Sequence, residues 1–130
     1  MVEVPDDLLY SKDHEWVRIE GKTATVGITD YAQQQLGDLT HVELPDPGDH
    51  FNQFDEVSVI DSVKASSDIY TPISGTVTEV NSALSNRPEA INTDPYGDGW
   101  IFRMEIVEEP EEGSLLSPAA YDHLIDSDDE

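Results

Sequence analysis

Ile60 to Val77 reads IDSVKASSDIYTPISGTV, and two strand-like runs meet across its centre. Upstream, Val57 and Val59 alternate with polar neighbours. Downstream, Ile69 follows a polar gap, and Ile73, Val77 and Val80 resume the apolar pattern beyond Pro72 and Gly75. Between the runs, Val63, Lys64 and Ala65 form a short break where a hairpin tip presents its side chains to solvent. Position alone leaves Lys64 an ordinary surface lysine, because turns often carry one.

Working outward, most of the chain reads as strands. His14 to Glu20 and Thr23 to Ile28 form a hairpin joined by Gly21-Lys22. Thr29 or Asp30 caps a short helix through Leu36, closed by Gly37. Thr40 to Leu44 is a strand ended by the turn Pro45-Asp46-Pro47-Gly48, and Phe51 and Phe54 are expected to close the core. Asn81 to Tyr96 is irregular, broken by Pro88, Pro95 and Gly97. Trp100, Phe102, Met104 and Ile106 then alternate as a strand with one buried face. Ser117 before Pro118 reads as a helix start, with Tyr121, Leu124 and Ile125 following, and residues 126–130 as an acidic flexible tail. The expected fold is mainly β, with a short helix after the first hairpin and a second helix at the C-terminus, in a single domain over residues 1–130.

Composition narrows the function. The 130 residues include 29 acidic and 6 basic side chains, a net charge of -23. Roughly a quarter are Val, Ile, Leu or Phe, enough for a core despite that charge. Three lysines and three arginines cannot neutralise a run of phosphates, so nucleic acid and anionic membranes are excluded as partners. No apolar stretch approaches membrane-spanning length, and the first residues lack a basic and apolar leader pattern. Absence of cysteine excludes disulfides, Cys-ligated metals and a thiol nucleophile, which fits a reducing cytoplasm. Acidic residues spread through the whole chain, with lysine scarce even at turns, read as adaptation to a salt-rich cytoplasm.

Enzymatic motifs are missing. His14, His41, His50 and His123 stand at no metal-pair spacing, no serine occupies a Gly-x-Ser-x-Gly elbow, and the glycines at 75, 97 and 99 form no phosphate loop. Asp94 and Asp98 do not follow the EF-hand ligand order and are read as turn residues.

The letters around Lys64 change its weight. The stretch from Ile60 to Val77 strongly resembles the lipoyl-attachment signature of glycine cleavage system H proteins, with SVKA, SDIY and P-x-S-G-x-V each in its family place. Three further segments resemble the same family: HEWV at 14–17, VGITDYAQQQLGDL at 26–39 and INTDPYGDGW at 91–100. Asp61 departs from the Glu usual before Ser-Val-Lys; it keeps the charge one methylene shorter.

The resemblance implies a barrel-sandwich hybrid of two small antiparallel sheets, as in lipoyl and biotinyl carriers, with lipoate in amide linkage to Lys64. It implies a non-catalytic, monomeric shuttle of an aminomethyl group. Glycine decarboxylase (the P-protein) loads the arm, aminomethyltransferase (the T-protein) unloads it, and dihydrolipoamide dehydrogenase (the L-protein) reoxidises it. A lipoate-attaching enzyme is a further implied partner. Glu15 and Asp68 carry over by motif position as cleft residues that hold the loaded, protonated amine.

Rival readings fit less well. A biotin carrier brackets its lysine with methionines, where this chain has Val63 and Ala65. A lipoyl domain of a 2-oxoacid dehydrogenase lacks the HEWV and DPYGDGW segments. Relay of lipoyl groups to other acceptor proteins stays open beside the carrier role, as does an unmodified acidic interaction module.

The charge generates a prediction. At ~1 M salt the Debye length is ~3 Å, and most repulsion among carboxylates disappears. The melting temperature should therefore rise steeply between dilute buffer and ~1 to 2 M potassium chloride; a flat or falling curve in a thermal melt series would show that the acidic surface serves some end other than life in brine.

Overall fold

The structure is a computed structural model, and it describes residues 3–108, 110 and 113–128. Two antiparallel sheets enclose the aliphatic core. Strands β1 (Leu9–Tyr10), β2 (Glu15–Glu20), β3 (Thr23–Ile28), β5 (His50–Phe51), β8 (Ser74–Val80) and β9 (Phe102–Glu108) build a six-stranded sheet in the order β1-β2-β3-β9-β8-β5. Strands β4 (Leu39–Glu43), β6 (Glu56–Ser62) and β7 (Ser66–Tyr70) build the other, in the order β4-β6-β7. Helices α1 (Asp30–Leu36), α2 (Ala90–Thr93) and α3 (Pro118–Asp128) flank them. The two-sheet, mainly β architecture is the expected one, with a larger first sheet.

Local signals act where the sequence places them. Glu20 pairs with Thr23, so Gly21-Lys22 is a two-residue hairpin link. Thr29 caps α1, its hydroxyl accepting from the Ala32 amide at 3.2 Å, and Gly37 ends the helix at φ 80°. Ser117 caps α3 through Ala120 N at 3.1 Å. This helix runs on through Asp128, past the point where the tail was expected to begin; residues 129 and 130 lie outside the described residues.

The core divides by chemistry. Between the sheets lie Val26, Ile28, Ile60, Ile73, Val77, Phe102 and Met104, all buried. A second cluster of Tyr10, Trp16, Tyr31, Tyr96 and Tyr121 glues α3 to β1 and β2, and Tyr10 stacks on Tyr121 at 4.6 Å. The buried hydroxyls and the indole find partners, among them Trp16 Nε1 donating to Pro95 O at 2.9 Å.

Two expectations fail in instructive ways. Val57 and Val59 do not share a face: a bulge between Glu56 and Ser58 shifts the β6 register, so Val57, Ser58 and Ile60 are buried and Val59 is only half-buried. Phe54 does not close the core. It is the third residue of the tight turn Asn52 to Asp55, closed by Asp55 N donating to Asn52 O at 3.0 Å, and its φ of 69° turns the ring outward, leaving it 44% exposed. Phe51 alone packs against the core.

Gly75, from the signature after Lys64, works in this sheet and not at the tip. A Cβ there would stand 2.3 Å from the Glu105 carbonyl oxygen, at a register shift between β8 and β9. Gly75→Ala should cost at least about 2 kcal/mol, since the contact is backbone and cannot rotate away; urea unfolding in molar salt measures it, and a loss near zero would show that the strands can part freely.

Candidate functional site

The tip of the β6–β7 hairpin is built to hold Lys64 outward. Asp61 pairs with Ser66, leaving Ser62 to Ala65 to turn the chain. Ser62 N donates to Ala65 O at 2.7 Å, while the Ser62 hydroxyl oxygen receives the amides of Lys64 at 3.3 Å and Ala65 at 3.1 Å. Asp61, the one departure from the resembled signature, receives the Ser66 hydroxyl at 2.5 Å and so clamps the base of the turn. Val63 N donates to Asp38 O at 3.0 Å, tying the tip to the segment after α1.

Lys64 is exposed, and its stem passes over Gly37: its Cε lies 3.6 Å from where a Cβ of residue 37 would be. Asn92 on α2 secures that neighbourhood. Its side chain donates to Gly37 O and Gln33 Oε1, each at 2.9 Å, and accepts from Leu39 N at 3.0 Å. The INTDPYGDGW segment thus supports the ground beneath the lysine stem instead of contacting solvent chemistry itself.

Two adjoining depressions run from the tip toward the first hairpin. One, about 340 Å³, lies between Lys12, Asp13 and His14 and the β7 residues Ser66, Ser67, Asp68 and Tyr70. The other, about 290 Å³, lies between Asp13, His14 and Ser67 and the α1 residues Tyr31, Ala32 and Leu36. Together they form one cleft with an acidic and an apolar end.

Of the two carboxylates expected in this cleft, Asp68 lines it and is exposed. Its carboxyl lies beside that of Glu56, whose pKa is raised by the hydrogen bond and the like charge from Asp68. Glu15 is placed differently. It is fully buried beneath the cleft, accepting from the Ser11 hydroxyl and, at 3.3 Å, from the Tyr70 amide. Burial pushes its pKa up to about 7, against the lowering effect of those hydrogen bonds.

Sequence reasoning passed over His14, Tyr70 and Tyr121. His14 lines both depressions with φ 71°, and its Nδ1 is 2.8 Å from the Tyr121 hydroxyl, which lies 2.6 Å from Thr29 Oγ1. That chain of contacts joins α3, the cap of α1 and the cleft floor. His14 stands in plain view within HEWV, but no metal-pair spacing singles it out, and nothing local marks a tyrosine over a hundred residues away as its partner.

Comparisons with known proteins converge on one family. The family model described as glycine cleavage H-protein matches residues 8–128. The chain is 50% identical over 129 residues to the glycine cleavage system H protein of Rubrobacter xylanophilus, covering 99% of this chain and 100% of that one. It is 51% identical over 124 residues to the probable glycine cleavage system H protein of Haloarcula marismortui, covering 95% and 98%. The crystal structure of a glycine cleavage system H protein from Mycobacterium marinum superposes with a TM-score of 0.84 at 34% identity, covering 98% of this chain and 100% of that one.

The burial of Glu15 has a pH signature. Its folded pKa of about 7 lies above the ordinary 4.5, so the folded chain holds a proton that the unfolded chain gives up. The contribution is intact below pH ~4.5 and lost as pH rises through ~7, a difference of about 3 kcal/mol. Glu15→Gln should therefore gain stability relative to the parent between pH 5 and pH 8 in urea unfolding at fixed molar salt. Parallel pH curves would mean that this carboxyl ionises as if solvated.

Proposed function

Given that the chain belongs to the glycine cleavage H-protein family and is a lipoyl carrier of the glycine cleavage system, we propose that Lys64 is the residue that bears the lipoyl arm. The observation that carries this reading is the exposed lysine at a braced hairpin tip, beside a cleft. The residues suit an amide-linked arm. The Lys64 amine is the acyl acceptor, Ser62 and Asp61 fix the backbone without engaging the stem, and Gly37 leaves the stem room to swing. When bound, the lipoyl group supplies a disulfide that opens to take up an aminomethyl group.

The chain's own work is binding and orientation. Asp68 faces the cleft and holds a cation there by its charge; Glu56 beside it adds negative potential. Glu15 acts from below, fixing the Tyr70 amide and with it the β7 wall against which the arm rests. The apolar end, at Ala32 and Leu36, receives the carbon chain of the arm. In this reading the protein has no catalytic residue. Glycine decarboxylase loads the carrier, aminomethyltransferase unloads it, dihydrolipoamide dehydrogenase returns the dithiol to disulfide, and a lipoate-attaching enzyme modifies Lys64. The setting is cytoplasmic and salt-rich; no helix of the described residues is long and apolar enough to cross a membrane.

Lys64→Arg should fold and melt like the parent, because the side chain is exposed, and should lose both the lipoyl mass increment and all carrier activity. Intact-mass measurement with peptide mapping, on protein made alongside a lipoate-attaching enzyme, provides the check. Carrier activity surviving in the arginine variant, or an increment mapped to Lys12 or Lys22, would sink the assignment.

A further inference from the structure

Phe54 is the most unusual side chain outside the arm cleft. A third turn position with positive φ is a glycine or asparagine position, and a bulky residue there is strained. The ring gains little burial in return, being 44% exposed. The turn is nevertheless held firmly. Phe54 N donates to Thr71 O at 2.6 Å, Thr71 N donates to Asp55 O at 2.9 Å, and Gln53 is fixed through Ser74 Oγ at 2.7 Å, Ser114 Oγ at 3.0 Å and Pro72 O at 3.1 Å. An aromatic ring is thus presented rigidly to solvent at a cost in backbone strain, an arrangement that points to use.

Its surroundings say what kind. Phe54 lines a depression of about 310 Å³ with Lys12, Asp13, Gly113 and Ser114. Lys12 and Asp13 also line the arm cleft, so the two depressions share an edge. An enzyme that covers the arm cleft at Lys12 and Asp13 would reach the depression of the ring as well. Around the ring the exposed charges are Lys12 and Asp13 in the depression, and Asp55 and Glu56 next in the chain, so the balance is negative.

We propose that Phe54 is the aromatic anchor by which an arm-using enzyme of the glycine cleavage system docks, the ring entering an apolar pocket that the partner rims with basic side chains. The proposal rests on the carrier reading. A rigid, exposed aromatic contributes to an interface without an ordering cost, and carboxylates around it favour a partner of opposite charge.

The test uses lipoylated full-length protein and the variants Phe54→Gly and Phe54→Asn, assayed with glycine decarboxylase and with aminomethyltransferase in molar salt. Relief of the left-handed strain should raise the melting temperature of the glycine variant by about 2 to 5 °C. At one enzyme or both, the KM for the carrier should rise about tenfold with kcat unchanged, as for a lost interface anchor. A residue kept for stability would move these readouts the other way. Unchanged KM at both enzymes overturns the proposal, as does a change confined to self-association in sedimentation, which would assign the ring to a contact between copies. A parent chain without a lipoyl increment on Lys64 would instead bring down the carrier reading itself, so the two failures are told apart by mass.

Discussion

One buried carboxylate joins the two sheets beneath the candidate site. Glu15 begins β2 in the larger sheet and accepts the amide of Tyr70 at the end of β7 in the smaller one, while Ser11 fills its other oxygen. A buried carboxyl left without such donors is costly, so the position of β7 against the first hairpin is dictated by the need to satisfy it. Everything at the cleft follows from that placement. Asp68 lies two residues before Tyr70 on the same strand, and Asp13 and His14 precede Glu15 directly. Both walls are therefore tied to the two ends of one hydrogen bond.

The rest of the molecule shows how a chain of charge -23 stays folded. Ion pairing contributes little: among the described residues the one Lys or Arg salt bridge is Arg103 with Glu79, at 3.2 Å, between partly exposed side chains. Arg103 also lies over Trp100, and Arg18 over Trp16, so these cations are used as flat groups against indoles. Cohesion comes from the aliphatic layer between the sheets and the aromatic cluster under α3. The carboxylates are left to be handled by the solvent.

Much of this was legible because it is local. Strand alternation at 102 to 106, the Gly21-Lys22 link, the Thr29 and Ser117 caps and the tip at Lys64 each depend on a few neighbouring residues. What escaped depends on pairing across the chain or on backbone angles that residue type does not announce. The β6 bulge exists only against β7, so counting alternation on β6 alone put Val59 on the wrong face. Phe54 looked like core because phenylalanine usually is; its φ of 69° comes from the turn that encloses it. Glu15 was assigned to the cleft by motif, and the motif said nothing of the Tyr70 amide that draws it under the floor. Several signature residues, Gly75 and Asn92 among them, prove to serve the framework.

The contact between His14 and Tyr121 spans 107 residues of chain. Synthesis runs from the N-terminus, so the hairpin bearing Lys64 leaves the ribosome well before α3 exists to brace the cleft floor. Until the first turn of α3 emerges, the nascent chain displays the lysine beside a cleft floor that still lacks its brace. The floor of the cleft is therefore finished only after Lys64 is on display, and loss of α3 would remove the Tyr121 contact while leaving the hydrogen bonds of the Lys64 turn in place.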